Sequence, residues 1–144
     1  MSGIILDTNV LSELMRSQPA PIVVAWFARQ TAATFYITAI TQAEILLGIA
    51  LLPAGKRRDM LANAADKMFR EEFFGKCLPF DDSCSALYAS VVANRRRAGF
   101  SMTTEDAQIA AIALNSKLSL ATRNTKDFLH IEGLNLSNPW AETS

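Results

Sequence analysis

Two rhythms of apolar residues alternate along this chain. Ile4-Ile5-Leu6 is an unbroken apolar run too short for a helix, and it predicts a buried strand. From Asn9 to Arg16, Val10, Leu11, Leu14 and Met15 recur at helical spacing. Pro19 and Pro21 interrupt, then Ile22 to Gln30 predicts a second helix, with Pro21 suited to its first turn. Thr34 to Thr38 is β-branched and aromatic, hence a second strand. Thr41 to Leu52 reads as a helix stopped by Pro53, and Lys56 to Phe74 as a longer amphipathic helix stopped by Gly75. Cys77 to Phe80 predicts a third strand, with Pro79 favouring an edge position. Asp81-Asp82-Ser83 then caps a helix to about Arg97, and Glu105 to Lys117 forms an alanine-dense helix. Leu118 to Thr122 and Leu134 to Leu136 are the last two strands.

Strands alternating with helices predict an α/β fold, a central parallel sheet of about five strands with helices on both faces. A length of 144 residues fits a single domain spanning 1–144. Half the residues are apolar, which excludes a disordered chain, and no stretch approaches the ~20 apolar residues of a membrane span. The first residues lack a basic start, and Asp7 and Glu13 break what would be the apolar core of a secretory leader, so a cytoplasmic protein is expected. Cys77 and Cys84 fit no zinc or redox spacing and are expected to be reduced core residues. Fourteen acids balance fourteen bases, so a nucleic-acid role requires a local patch.

In doubly wound sheets ligands bind beyond the carboxyl ends of the strands. Asp7 stands at the first such junction, and Thr41-Gln42-Ala43-Glu44 follows the second strand. Thr103-Thr104-Glu105-Asp106 opens the alanine-dense helix, and Thr122-Arg123-Asn124-Thr125-Lys126-Asp127 follows the fourth strand. Each has a structural explanation: Asp7 as a helix cap, and the Thr-x-x-acid segments as capping boxes. The shared sheet edge offers a second one, because acids sent there converge. Carboxylates ~4 Å apart repel by about 4 kcal/mol at an effective dielectric of 20, so convergence calls for a proton or a cation. Mg²⁺ or Mn²⁺ suits oxygen ligands, whereas zinc is disfavoured because the only histidine, His130, lies far from these junctions. A divalent ion among acids suits phosphate chemistry, in which it neutralises phosphoryl oxygens and activates a water. No glycine-rich phosphate cradle and no GxSxG element are present.

The segments LDTNVLSEL, ITQAEILLGI, TTEDAQIAAIA and LATRNTKDF, in this order and spacing, resemble the PIN-domain ribonucleases across essentially the whole chain. The likeness is to the VapC toxins of toxin–antitoxin pairs, including their FitB-like branch. It implies a three-layer α/β/α fold and a Mg²⁺-dependent (or Mn²⁺-dependent) single-strand endoribonuclease. Carried over, Asp7, Glu44 and Asp106 are the catalytic, metal-holding acids, with Asp7 and Asp106 the most direct ligands and Glu44 completing the pocket or polarising water. Gly48, one turn beyond Glu44, matches the family's glycine. Asn124 stands where FitB-like members place a fourth acid, which favours one strong metal site over two. Asp127 either adds charge there or caps the turn before Phe128. Thr8 and Thr122 are expected to hydrogen-bond around the acids or to satisfy backbone groups, and Arg123 to contact phosphate. The resemblance also implies a homodimer and a small antitoxin partner laying an apolar segment over the early helices.

Lys56-Arg57-Arg58 and Arg95-Arg96-Arg97 are the basic runs, the second favoured at a helix end without any ligand. Met15, Trp26, Phe27, Met60, Met68, Phe69, Phe73 and Phe74 are core by helical spacing, or partner surface. The rival readings are a haloacid-dehalogenase-like phosphatase, which needs a second acid where Asn9 stands, and a receiver domain, which needs an acidic pair that Asp7-Thr8 does not supply. A third is a catalytically weak PIN-like interaction module. Which RNA is cut and which antitoxin binds are not written in the sequence.

Overall fold

Alternation within the first strand decides the layering. In β1 (Ser2–Leu6) Ile4 and Leu6 face one side of the sheet and Ile5 the other, and all three are buried. A computed structural model describes residues 2–141. Its sheet has the order β3-β2-β1-β4-β5, every neighbouring pair parallel, with β2 (Ala33–Thr38), β3 (Cys77–Leu78), β4 (Ser119–Ala121) and β5 (Leu136–Ser137). On the Ile4 and Leu6 face pack α1 (Thr8–Leu14), α2 (Pro21–Arg29), α3 (Ala39–Ala50) and α4 (Lys56–Lys67), around Val10, Leu11, Trp26, Ile45 and Ala65. On the Ile5 face pack α5 (Ser85–Arg97) and α6 (Thr104–Ser116), around Val91, Ile109, Ile112, Leu120 and Phe128. The result is the expected three-layer α/β/α fold. Strand order reverses between β1 and β4, so the crevice beyond those two strand ends is where a ligand fits.

Several boundaries depart from the sequence reading. The helix expected from Thr41 begins at Ala39, because Thr38 is its cap: the Thr38 hydroxyl accepts from the Thr41 amide at 3.1 Å. The Thr41–Glu44 capping box is therefore not formed, and both side chains are released for other contacts. The long helix expected to Phe74 ends its regular part at Lys67 and continues as a π turn, Met68–Glu72, which turns Met68 and Phe73 into the core. Gly75 follows at φ +70°, where it stops the helix as expected. The third strand is two residues long, on the sheet edge as Pro79 implied, and the last is Leu136–Ser137 rather than Leu134–Leu136. Asp81 caps a short 3-10 turn, Asp82–Cys84, rather than α5 itself. Cys84 is buried and Cys77 half-buried; both are free thiols.

Candidate active site

Asp7 ends β1, its amide extending the sheet by donating to Ala121 O at 2.9 Å. Its side chain folds back as the α1 cap, Oδ1 accepting from the Thr8 amide at 2.8 Å. Oδ2 accepts from the Thr122 hydroxyl at 2.8 Å, across the β1–β4 boundary. Thr122 is fully buried, and with its proton committed to Asp7 its oxygen accepts from the Asn124 amide (3.1 Å) and Asn9 Nδ2 (3.4 Å). Asn9 Oδ1 in turn accepts from the Arg123 amide at 3.2 Å. The Asp7-Thr8-Asn9 and Thr122-Arg123-Asn124 triplets thus lock together.

A second relay holds Glu44. Thr8 Oγ1 donates to Glu44 Oε1 at 2.7 Å, so the 3.0 Å contact between the Thr8 and Thr41 hydroxyls has Thr41 as donor. Glu44 Oε2 has no hydrogen-bond partner among the described residues. Asp106 lies in the first turn of α6, its amide bonded to the capping hydroxyl of Thr103 at 3.1 Å, as the sequence implied. Asp106 and Asp127 line one cavity of about 310 Å³ with Ser101, Met102 and Thr103. Asp127 sits within a 3-10 turn, Thr125–Phe128, whose capping position is Asn124, so its alternative role as a cap is not the one found. Asn124 and Arg123 are exposed, and the Arg123 guanidinium lies 4.8 Å over the Trp140 ring.

The electrostatics show what the pocket lacks. Asp7 is 5% exposed, and its carboxyl is pushed above the usual range by burial, against the hydrogen bonds from Thr122 and Thr8, with the charge of Asp127 adding to the rise. Asp106 is pushed up to about 6, by burial first and then by Asp7, with Thr103 opposing and Asp127 and Glu44 adding. Among the described residues the ion pairs are Arg16–Glu13 and Arg70–Asp66, neither of which reaches these acids. Asp7 and Asp106, whose proton affinities are raised without a paired countercharge among the described residues, offer hard oxygen beside Asp127 and Glu44 and fit a divalent cation. No group of three or more ligating side chains among the described residues is drawn together into a ready-made cage. The residues present fit a hard divalent cation held by one or two carboxylates and completed by water.

The sequence reading missed Asn9 and Thr41, which orient the groups that hold Asp7 and Glu44. The signal for Asn9 was its adjacency to Asp7; none marked Thr41, whose role depends on the helix starting one turn earlier. Asn9 also removes the phosphatase alternative, because its amide is built into the frame where an acid would be required. Arg95 was grouped with Arg96 and Arg97 as a basic run favoured by the helix end, whereas its side chain is buried. Trp26, Met68 and Phe73 are core, while Met60 and Phe74 are exposed.

Beside Glu44 and Thr8 a larger groove of about 830 Å³ opens between α1, α3 and α4, floored by Met15, Ile45, Gly48 and Ile49 and edged by Arg16, Arg57 and Met60. Residues 4–134 match the PIN domain. The chain is 40% identical over 137 residues to the VapC ribonuclease Y4jK of Sinorhizobium fredii, covering 95% of this chain and 97% of that protein. It is 39% identical to Toxin FitB of Neisseria gonorrhoeae, over 95% of this chain and 98% of that one. The structure of FitAB bound to an IR36 DNA fragment superposes with a TM-score of 0.90 at 37% identity, covering 98% of both chains.

Proposed function

The chain belongs to the PIN-domain family, and on that premise we propose that it is a metal-dependent, single-strand-specific endoribonuclease acting as the toxin of a type II toxin–antitoxin pair in the cytoplasm. The observation that carries this reading is the buried Asp7 carboxylate, held by Thr122 and Thr8 beside Asp106, with no basic side chain among the described residues paired to either acid. Asp7 and Asp106 would hold Mg²⁺, with Mn²⁺ as an alternative, and Glu44 stands beside them as the third acid.

When bound, the ion supplies charge neutralisation at the scissile phosphate and a more acidic water. The protein supplies order. Thr122 fixes the rotamer of Asp7, so no reorientation is needed when phosphate arrives. Thr8 occupies one oxygen of Glu44 and leaves the other to accept a proton from the attacking water. Asp127 adds charge at the Asp106 wall, Asn124 offers a neutral oxygen, and Arg123 offers an exposed cation at the pocket edge. The test is cleavage of a labelled single-stranded RNA by antitoxin-free protein with Mg²⁺ or Mn²⁺, against EDTA and against a duplex of the same sequence. Metal-dependent cutting of the single strand is expected. Cutting that survives EDTA would overturn the reading.

Asp106 gives a pH signature. Its folded pKa of about 6 lies above the ordinary carboxylate value, so metal-free protein gains from its protonation below that ordinary value and loses this contribution as pH rises through about 6. Metal binding needs the ionised form. The rise in Tm on adding Mn²⁺ should therefore be larger at pH 7.5 than at pH 5, read by paired thermal melts. An equal rise at both would remove Asp106 from the ligand set.

The antitoxin's place is the α1–α3–α4 groove, which is mostly apolar and opens onto Glu44, so one occupant can cover the groove and reach the acids. Leu46, Leu47, Leu51 and Phe74 remain exposed on the same layer. We infer a homodimer that covers part of this surface. Light scattering of the free toxin should give a mass near twice 15.8 kDa. A strict monomer at micromolar concentration would contradict it.

A further inference from the structure

Arg95 stands in the last turn of α5, yet it is 3% exposed, and no carboxylate among the described residues pairs with it. A guanidinium taken from water without a counter-ion is costly and is kept only where its hydrogen bonds compensate. Its Nε has no hydrogen-bond partner among the described residues, so the two Nη groups carry its polar contacts. What it reaches is a pair of backbone carbonyls on two different loops: Nη1 donates to Leu129 O, and Nη2 to Ser101 O at 3.2 Å. The fork is reinforced by stacking. The guanidinium carbon lies 5.1 Å from the Phe100 ring centre, and Phe100 stacks on His130 at 4.9 Å, so one aromatic from each loop joins the contact.

These two loops are the walls of the Asp106–Asp127 cavity. Ser101 lines it directly and leads through Thr103, the α6 cap, to Asp106. Leu129 follows Asp127 by two residues, and the next residue, His130, turns back at φ +64°. We infer that Arg95 is a positioning residue: by tying Ser101 O to Leu129 O it sets the separation of Asp106 and Asp127, and so the affinity of that wall for a divalent cation. This rests on the metal-dependent reading above and extends it to a residue that touches neither metal nor RNA. A planar fork can join two fixed carbonyls, whereas an ammonium on a flexible stem keeps the charge and loses the span.

The test is calorimetric titration of full-length, antitoxin-free protein with Mn²⁺, comparing wild type, Arg95→Lys, Asp127→Asn and the double variant. Groups that orient ligating side chains typically contribute about 10- to 100-fold in metal affinity. Arg95→Lys should weaken Mn²⁺ binding about tenfold in the wild-type background and far less in the Asp127→Asn background, since the separation it sets no longer matters there. Hydrogen exchange should show faster amides at 101–103 and 127–131 in Arg95→Lys, with the sheet unchanged. Arg95→Met should show the larger version of both effects if it folds; Arg95→Lys decides the matter if it does not. Unchanged Mn²⁺ affinity in folded Arg95→Lys, or an equal loss in both backgrounds, would overturn this role alone. Wild-type protein that takes up no Mn²⁺ would overturn the metal reading and this role together.

Discussion

Asp7→Asn removes metal-dependent RNA cleavage, by about 10³-fold or more, and costs the protein little stability at neutral pH. Both halves follow from the same burial. Asparagine keeps the cap, because its Oδ1 still accepts from the Thr8 amide, but its Nδ2 faces Thr122 Oγ1, which already accepts from the Asn124 amide and Asn9 Nδ2 and loses the acceptor for its own proton. The fold therefore keeps its volume and loses one buried hydrogen bond, and a second change offsets that loss. It sheds a charge whose folded-state pKa is raised by burial and by Asp127. A raised carboxyl pKa means that stability from this group is present below its unfolded value and lost as pH rises through the folded one. At neutral pH the wild type carries that loss and the variant does not. Metal holding, by contrast, needs the anion, and a 10³-fold fall in rate corresponds to about 4 kcal/mol of transition-state stabilisation. Matched denaturation and single-turnover cleavage curves check both. Near-wild-type cleavage would remove Asp7 from the site; a clear loss of stability would show that the charge is already compensated in the metal-free protein.

The same residue shows why so much of the site was legible in the sequence. Asp7, Glu44 and Asp127 sit where a strand hands over to a helix or turn, points that a parallel sheet sends to one edge, and Asp106 joins them from the first turn of α6. Local pattern is enough to locate them. The details that hold them depend on long-range contacts that no short window contains: Thr122 reaches Asp7 across the sheet, and Thr41 reaches Thr8 from another helix. The Thr41–Glu44 capping box was wrong for a related reason. Thr38 and Thr41 are equally good caps by type, and tertiary packing, with Thr38 fully buried at the end of β2, chose the earlier one. Arg95 was illegible because a run of three arginines looks alike from the sequence, and only the packing of two loops against α5 separates the first from the others. The strands β3 and β5 shrank to two residues each because edge positions need only brief pairing.

Gly48 carries the other large effect, on the partner rather than the chemistry. It lies inside α3, where glycine is about 0.8–1 kcal/mol worse than alanine, and a Cβ there would meet nothing within 4 Å. Packing within this chain therefore gives no reason for the glycine, and Gly48→Ala should stabilise the toxin by roughly that amount. The open space is the floor of the groove, one turn from Glu44, where we propose that the antitoxin's apolar segment lies. A bulky side chain should then collide with the partner and spare the fold. Gly48→Trp is expected to weaken antitoxin binding by about 10²-fold or more, the cost of a displaced anchor in a well-packed interface. Met60→Glu, at 70% exposure on the opposite edge and away from the acids, should weaken it by about tenfold with antitoxin-free cleavage intact. The measurement is titration of each folded variant with the cognate antitoxin, beside RNA cleavage without it. If Gly48→Trp binds as wild type does, the antitoxin lies elsewhere. If it loses cleavage but not antitoxin, the groove is a path for RNA.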